Sequence, residues 1–218
     1  MGNGGNLIVG LTGGMGCGKS TAAAFFAAEG FRRLDADQVV RDVLLPSAEV
    51  EAEVRGRFGD AVFGADGRID RAKLGAVVFA DDDALAWLES RLHPRLQEHW
   101  DRTYAAARGE RFIVEVPLLY EKGLENRFDF TVCVSTTSAL QLQRLEQRGV
   151  PSGIARQRLA KQLPLARKVE RADFVLLNDG SLEFLRDQVR ELARRLLNDP
   201  SPANRQTHGP ASEVRRGH

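Results

Sequence analysis

The sequence predicts an α/β fold in which a parallel sheet is covered by helices on both faces. Three observations lead there. Short apolar runs that read as buried strands alternate with stretches of helical periodicity. A glycine-rich loop joins the first apolar run to a helix. Between the second and third strand-like runs lies a long region of helical spacing alone, which marks a helical insert.

Taken in order, Leu7 to Leu11 is apolar and ends in glycines, as a buried strand would be, and Ser20 to Ala28 forms a helix stopped by Gly30. Phe31 to Leu34 reads as a second short strand. It leads into "DADQVVRDVLLP", where Asp35 or Asp37 caps a helix that Pro46 ends. From Ser47 to about Arg108 the apolar residues recur at helical steps, among them Leu85, Leu88, Leu92, Leu96 and Trp100, and Pro94 predicts a break within this region. Strand-like runs return at Phe112 to Pro117 and Phe130 to Val134. Ser138 to Arg148 is helical, and the basic stretch after it reads as a mobile flap. "DFVLLNDG" supplies a fifth strand, and Leu182, Leu185, Val189, Leu192 and Leu196 stripe a closing helix. Residues 199–218 hold three prolines and no apolar periodicity, and read as a disordered tail.

Composition narrows the function classes. With 31 basic and 30 acidic residues in 218, the net charge of +1 offers no electrostatic ground for a nucleic-acid or anionic-membrane partner. Two cysteines, Cys17 and Cys133, make no disulfide framework and suit a reducing compartment. Neither a secretory signal nor a run of about 18 apolar residues is present, so the expectation is a cytoplasmic protein.

The stretch "GLTGGMGCGKST" carries the chemistry. Gly13, four residues, then Gly18-Lys19-Ser20 fits G-x-x-x-x-G-K-[ST], after a strand and at a helix start, where the phosphate-cradling mechanism needs it. Glycines allow the backbone N–H groups to turn toward phosphate oxygens, and the helix N-terminus adds its own unpaired donors. Residues Gly13, Gly14, Met15, Gly16, Cys17, Gly18, Lys19, Ser20 and Thr21 are therefore expected to hold the phosphates of a nucleoside triphosphate. Lys19 reaches the β- and γ-phosphates and Ser20 offers its hydroxyl to Mg²⁺. For Cys17 two readings stand: a small residue that fits the loop, or a thiol whose pKa is lowered by the N–H groups and Lys19.

A phosphate loop alone does not separate GTPases, motors and small-molecule kinases. The guanine-reading tetrapeptide N-x-x-D with lysine second is absent. Asp35 and Asp37 follow the second strand, at the sheet end that lines the ligand crevice, so one can cap the helix while the other orients or deprotonates an attacking hydroxyl. Glu115, charged in an apolar strand, either holds a Mg²⁺-bound water or serves an edge or capping role. Arg144 and Arg148, four apart on a helix, either converge on one anion or face solvent.

Together "LTGGMGCGKST", "LDADQVVRDVLLP", "LHP" at Leu92 to Pro94, "VPLLYEKGL", "QLQRLEQR" and "ADFVLLNDG", in this order and spacing, resemble dephospho-CoA kinase from about Leu7 to Leu197. The resemblance implies a P-loop kinase fold with a five-stranded parallel sheet. It implies ATP-dependent phosphorylation of the ribose 3′-hydroxyl of dephospho-CoA with Mg²⁺, the last step of CoA synthesis. Domain boundaries follow from it: a core of residues 7–42, 110–148 and 172–198, a CoA-binding insert over 43–109 and a lid over 149–171. It selects Asp37 as base or orienter, puts Lys19 on the transferring phosphoryl group of ATP, and puts Arg144 and Arg148 on the ATP phosphates or the adenine. Asn178 becomes an adenine contact, or else an ordinary turn residue. His93, Pro117, Leu118 and Glu121 join Asp37 on the substrate side, although Pro94 beside His93 favours a bland helix-break role for that histidine. Met15 and Cys17 depart from the family's usual isoleucine and serine. The rivals are a nucleoside or nucleotide kinase of the same fold and a nucleotide-dependent RNA-associated protein.

Overall fold

All seven residues of the first strand, β1 (Leu7–Gly13), are buried, and this follows from its place in the middle of the sheet. The computed structural model describes residues 5–198, so the tail expected over 199–218 lies outside the described residues. β2 (Arg32–Asp35), β3 (Arg111–Glu115), β4 (Phe130–Ser135) and β5 (Phe174–Leu177) complete a five-stranded sheet of order β2-β3-β1-β4-β5. Every pairing is parallel.

Alternation along the strands divides the core in two. Leu7, Val9, Leu11 and Ile113 point to one face, where they pack with α1 (Lys19–Ala28) and the closing helix α9 (Leu182–Asn198) through Phe26, Leu185, Val189 and Leu196. Ile8, Phe112 and Val114 point to the other face and meet Trp100, Leu119 and Phe128. Leu182 belongs to the expected stripe of α9 but, as the helix's first residue, is 61% exposed.

After β2, α2 (Ala36–Val39) runs into one π-helical turn at Val40–Leu44, which ends before Pro46. The insert holds α3 (Ala48–Phe58), α4 (Arg71–Val78) and α5 (Asp82–Ala106), capped by the side chains of Ser47, Asp70 and Asp81. One antiparallel bridge, Phe63 to Ile69, interrupts what the periodicity had as helix alone.

Pro94 does not break α5, contrary to expectation. An interior proline forfeits the helical bond to residue i−4, here Ser90, at a cost of about 3 kcal/mol. The helix withstands this because Leu88, Leu92, Leu96 and Trp100 are all buried along one stripe, each contributing about 1.5–3 kcal/mol. The Arg95 guanidinium also donates to the Arg91 carbonyl at 2.8 Å beside the gap.

α6 (Ser138–Gln147) follows β4, and the basic stretch after it forms α7 (Ser152–Ala160) and α8 (Leu165–Arg171). The second half of the expected flap is packed into the body: Lys168 of α8 is fully buried and α8 touches β1 and β4.

Candidate active site

Strand β1 ends at Gly13 and α1 begins at Lys19, so the glycine loop spans the carboxyl edge of the central strand. Gly18 stands at the helix N-cap with φ +91, a conformation that favours glycine, and a Cβ there would lie 2.1 Å from the Asn178 amide nitrogen. No side chain caps α1 and no acidic residue lies in its first turn, so its N-terminal donors remain for an anion.

Lys19 folds back over the loop, its Nζ donating to the carbonyls of Gly13 at 3.1 Å and Gly14 at 3.0 Å. Burial lowers its pKa, with Lys168 adding to the fall and Cys17, Glu115 and Asp37 opposing it. The Ser20 hydroxyl donates to Glu115 Oε2 at 3.1 Å. Thr21, the last residue of the motif, is half-buried in the first turn of α1.

The two aspartates of "DAD" divide their work. Asp35 is the N-cap of α2 and accepts from the Gln38 N–H at 3.0 Å. Asp37 keeps solvent contact, yet the surrounding protein excludes enough water to raise its carboxyl pKa. The like charge of Asp35 raises it further, while Lys19 and Arg41 oppose the rise. Asp37 and Lys19 thus sense each other across the crevice. Glu115 is buried in β3, an interior strand, which removes the edge reading, and its partner is Arg33.

Several expected residues are placed differently. Arg144 donates to the Asn178 carbonyl at 2.9 Å and lies 3.5 Å from the Gly16 carbonyl. Arg148 does not join it: α6 ends at Gln147, Gly149 takes φ +77, and Arg148 is exposed at the C-cap. Asn178 is buried beside the phosphate loop, its Nδ2 donating to the Cys17 carbonyl at 2.8 Å, so its amide nitrogen supports the loop. The lowered-pKa reading of Cys17 is corrected: burial raises its pKa, outweighing Lys19 and the loop's backbone donors. The thiol lies 3.3 Å from Gln141 Nε2.

On the other side of the loop, Glu121 Oε1 accepts from the Leu163 N–H and from Lys168 Nζ, both at 2.8 Å. Lys168 also donates to the Pro117 carbonyl at 2.7 Å, which the Thr12 hydroxyl reaches at 3.3 Å. Glu121 Oε1 therefore anchors α8 and the segment before it, while Oε2 is buried with no hydrogen-bond partner among the described residues. Pro117 and Leu118 are half-buried between it and β3. His93 is half-buried near the ion pair of Glu89 and Lys122, and burial lowers its pKa against the pull of Glu89.

Residues outside the sequence expectations complete the site. Gln141 Nε2 donates to the Met15 carbonyl at 3.0 Å, and Gln162 Oε1 accepts from the Met15 N–H at 3.2 Å, so α6 and the segment just after α7 both hold the loop. Gln141 carried a signal: a polar residue on the buried face of α6 beside Leu145. Arg33 and Lys168 carried none beyond their charge.

The donor set at the loop consists of hard oxygens, a serine hydroxyl backed by a carboxylate. No group of three or more histidine, cysteine or acidic side chains gathers anywhere among the described residues. That fits Mg²⁺, which keeps most of its waters and takes one or two protein ligands beside phosphate oxygens.

The family model described as dephospho-CoA kinase matches residues 7–183. A dephospho-CoA kinase of Corynebacterium glutamicum is 38% identical over 195 residues, covering 88% of this chain and 98% of its own. One from Thermosynechococcus vestitus is 39% identical over 185 residues, 84% of this chain and 91% of its own. Among solved structures, a Thermus thermophilus protein superposes with a TM-score of 0.78 at 33% identity, covering 88% of this chain and 98% of that one. With the phosphate loop, the aspartate pair and the five-stranded parallel sheet in place, the chain belongs to the dephospho-CoA kinase family.

Proposed function

We propose that the protein transfers the γ-phosphoryl group of ATP to the ribose 3′-hydroxyl of dephospho-CoA, giving CoA and ADP. The family match over residues 7–183 carries this reading, because it takes in both the phosphate loop and Asp37. No described helix is long and apolar enough to cross a membrane, and both cysteines are free. We place the reaction in the cytoplasm, with dephospho-CoA as partner and no nucleic acid.

In this reading the loop from Gly13 to Thr21 binds the phosphates. Lys19 exchanges its two carbonyl acceptors for phosphate oxygens and neutralises charge that grows on the transferring group. Arg144, held at the loop by the Asn178 carbonyl, supports the same charge. Asp37 orients the acceptor hydroxyl and takes up its proton, which its raised pKa favours. Ser20, with Glu115 behind it, would hold Mg²⁺, whose contribution when bound is to neutralise phosphate charge. The insert over 43–109, with His93, and the segment from Pro117 form the acceptor wall. The lid over 149–171, anchored at Glu121, closes the site to water.

Coupled ADP release tests the reading, with dephospho-CoA, nucleosides and nucleoside monophosphates as acceptors and with ATP or Mg²⁺ omitted in turn. Turnover is expected with dephospho-CoA and only when all components are present. Faster turnover with a nucleoside or nucleotide would transfer the assignment to another acceptor.

A further inference from the structure

Asp35 and Glu115 are register partners on the adjacent strands β2 and β3, so two carboxylates project from the same face of the sheet beside the phosphate loop. Like charges directly opposite in a sheet repel. Arg33 lies two residues before Asp35 and therefore on that same face. Its guanidinium answers the repulsion unequally. Nε and Nη2 both bond Glu115 Oε1, at 2.7 and 2.6 Å, whereas the nearest Asp35 oxygen is 3.9 Å away. The other Glu115 oxygen, Oε2, is left to the Ser20 hydroxyl.

This division has a mechanical meaning. A carboxylate on a β-strand has freedom about its last bond, and a double grip on one oxygen removes it. Glu115 is buried and Arg33 is partly exposed, so the arginine is a strut from the sheet's outer edge to an interior group. We infer that Arg33 is a positioning residue: it fixes the Glu115 carboxylate so that Oε2 faces Ser20, and thereby sets the affinity of the phosphate loop for its divalent cation. The same guanidinium steadies Asp35, the cap of the helix that bears Asp37, so one side chain ties the cation side of the site to the acceptor side.

Removing a group that orients a metal-side carboxylate costs about 10- to 100-fold in metal affinity. The opposing effect, relief of repulsion between Arg33 and the cation, is weakened by the arginine's solvent exposure. Orientation therefore outweighs it, and Arg33→Ala is expected to bind cation more weakly.

The inference rests on the phosphoryl-transfer reading for its use, but its test needs no acceptor. Mn²⁺ binding to the complex of the full chain with a non-hydrolysable ATP analogue is followed by electron paramagnetic resonance. Arg33→Ala should weaken Mn²⁺ about tenfold, leave analogue affinity in EDTA unchanged, and have no further effect in a Glu115→Gln background. Arg33→Lys, which keeps the charge without the two-pronged grip, should fall between wild type and alanine, and it carries the test if the alanine variant does not fold. Unchanged or tighter Mn²⁺ binding in Arg33→Lys, or additive effects of Arg33→Ala and Glu115→Gln, would overturn the inference. Failure of dephospho-CoA to turn over would overturn the acceptor assignment and leave this result standing.

Discussion

The side-chain amide of Asn178 donates to the backbone carbonyl of Cys17 across 2.8 Å, joining residues 161 positions apart. The turn after β5 thus supports the phosphate loop from below, and Gly18 must lack a side chain because that amide fills the space. Asn178→Ala leaves the Cys17 carbonyl without this donor, and burial makes the loss worth about 1–3 kcal/mol. Because the damage is to the loop, ATP and inorganic tripolyphosphate should weaken by the same factor in calorimetric titrations. A loss confined to ATP would support the adenine-contact role.

Asp37→Asn separates chemistry from stability. Asparagine cannot accept the acceptor's proton, and general-base contributions are about 10²- to 10⁴-fold in rate. The side chain keeps solvent contact, so unfolding should move by less than about 0.5 kcal/mol. Near-normal kcat in this variant would remove Asp37 from the mechanism.

The pH profile follows from two shifts of opposite sign. Asp37 is raised, so it is protonated and inactive as a base up to a higher pH than an ordinary carboxylate, and the acid limb of kcat/KM should lie above pH 3.8. Lys19 is lowered, so its charge is lost below the usual 10.5 and the alkaline limb moves inward. Both limbs are read from kcat/KM, which reports the groups of the free enzyme, and Asp37→Asn should abolish the acid limb alone.

Lys168 is fully buried, with a carboxylate and a carbonyl as its acceptors. Lys168→Met strands the Glu121 charge and should cost about 3–5 kcal/mol in denaturant unfolding. Lys168→Met with Glu121→Leu removes both charges and should recover most of that loss. A single variant within 1 kcal/mol of wild type, on the order of the error of such titrations, would refute the anchor.

Iodoacetamide at neutral pH should leave Cys17 and Cys133 unlabelled in the native protein and label both in denaturant. Both thiols are buried, and burial raises the pKa of Cys17 and pushes that of Cys133 up to about 12. Mass spectrometry after trypsin digestion reads the outcome.

Much of this site was legible in the sequence because its signals are local. The loop's glycines, the strand before it and the capping aspartates all act within a few residues of one another. What escaped was set by contacts between distant segments. Arg33 gained its meaning only when β2 paired with β3 in a register that aligns Asp35 and Glu115. Lys168 looked like one more cation of a basic flap until α8 packed against the sheet, and Asn178 looked like a turn residue until the loop settled on it. Arg148 is exposed for a local reason that was readable: Gly149 and Pro151 end the helix at this residue.

The strand order has a consequence for how such a molecule diversifies. β1, with the phosphate loop, is flanked on one side by β3 and β2 and on the other by β4 and β5. In the proposed reading the acceptor side, from Asp37 through His93 to Leu118, comes from the first flank and the insert between its strands. Arg144 and Asn178, which steady the donor side, come from the second. The acceptor side is thus encoded in one contiguous stretch of chain, set between the two stretches that hold the nucleotide. One stretch can be recut for a new acceptor while the grip on the nucleotide is inherited whole.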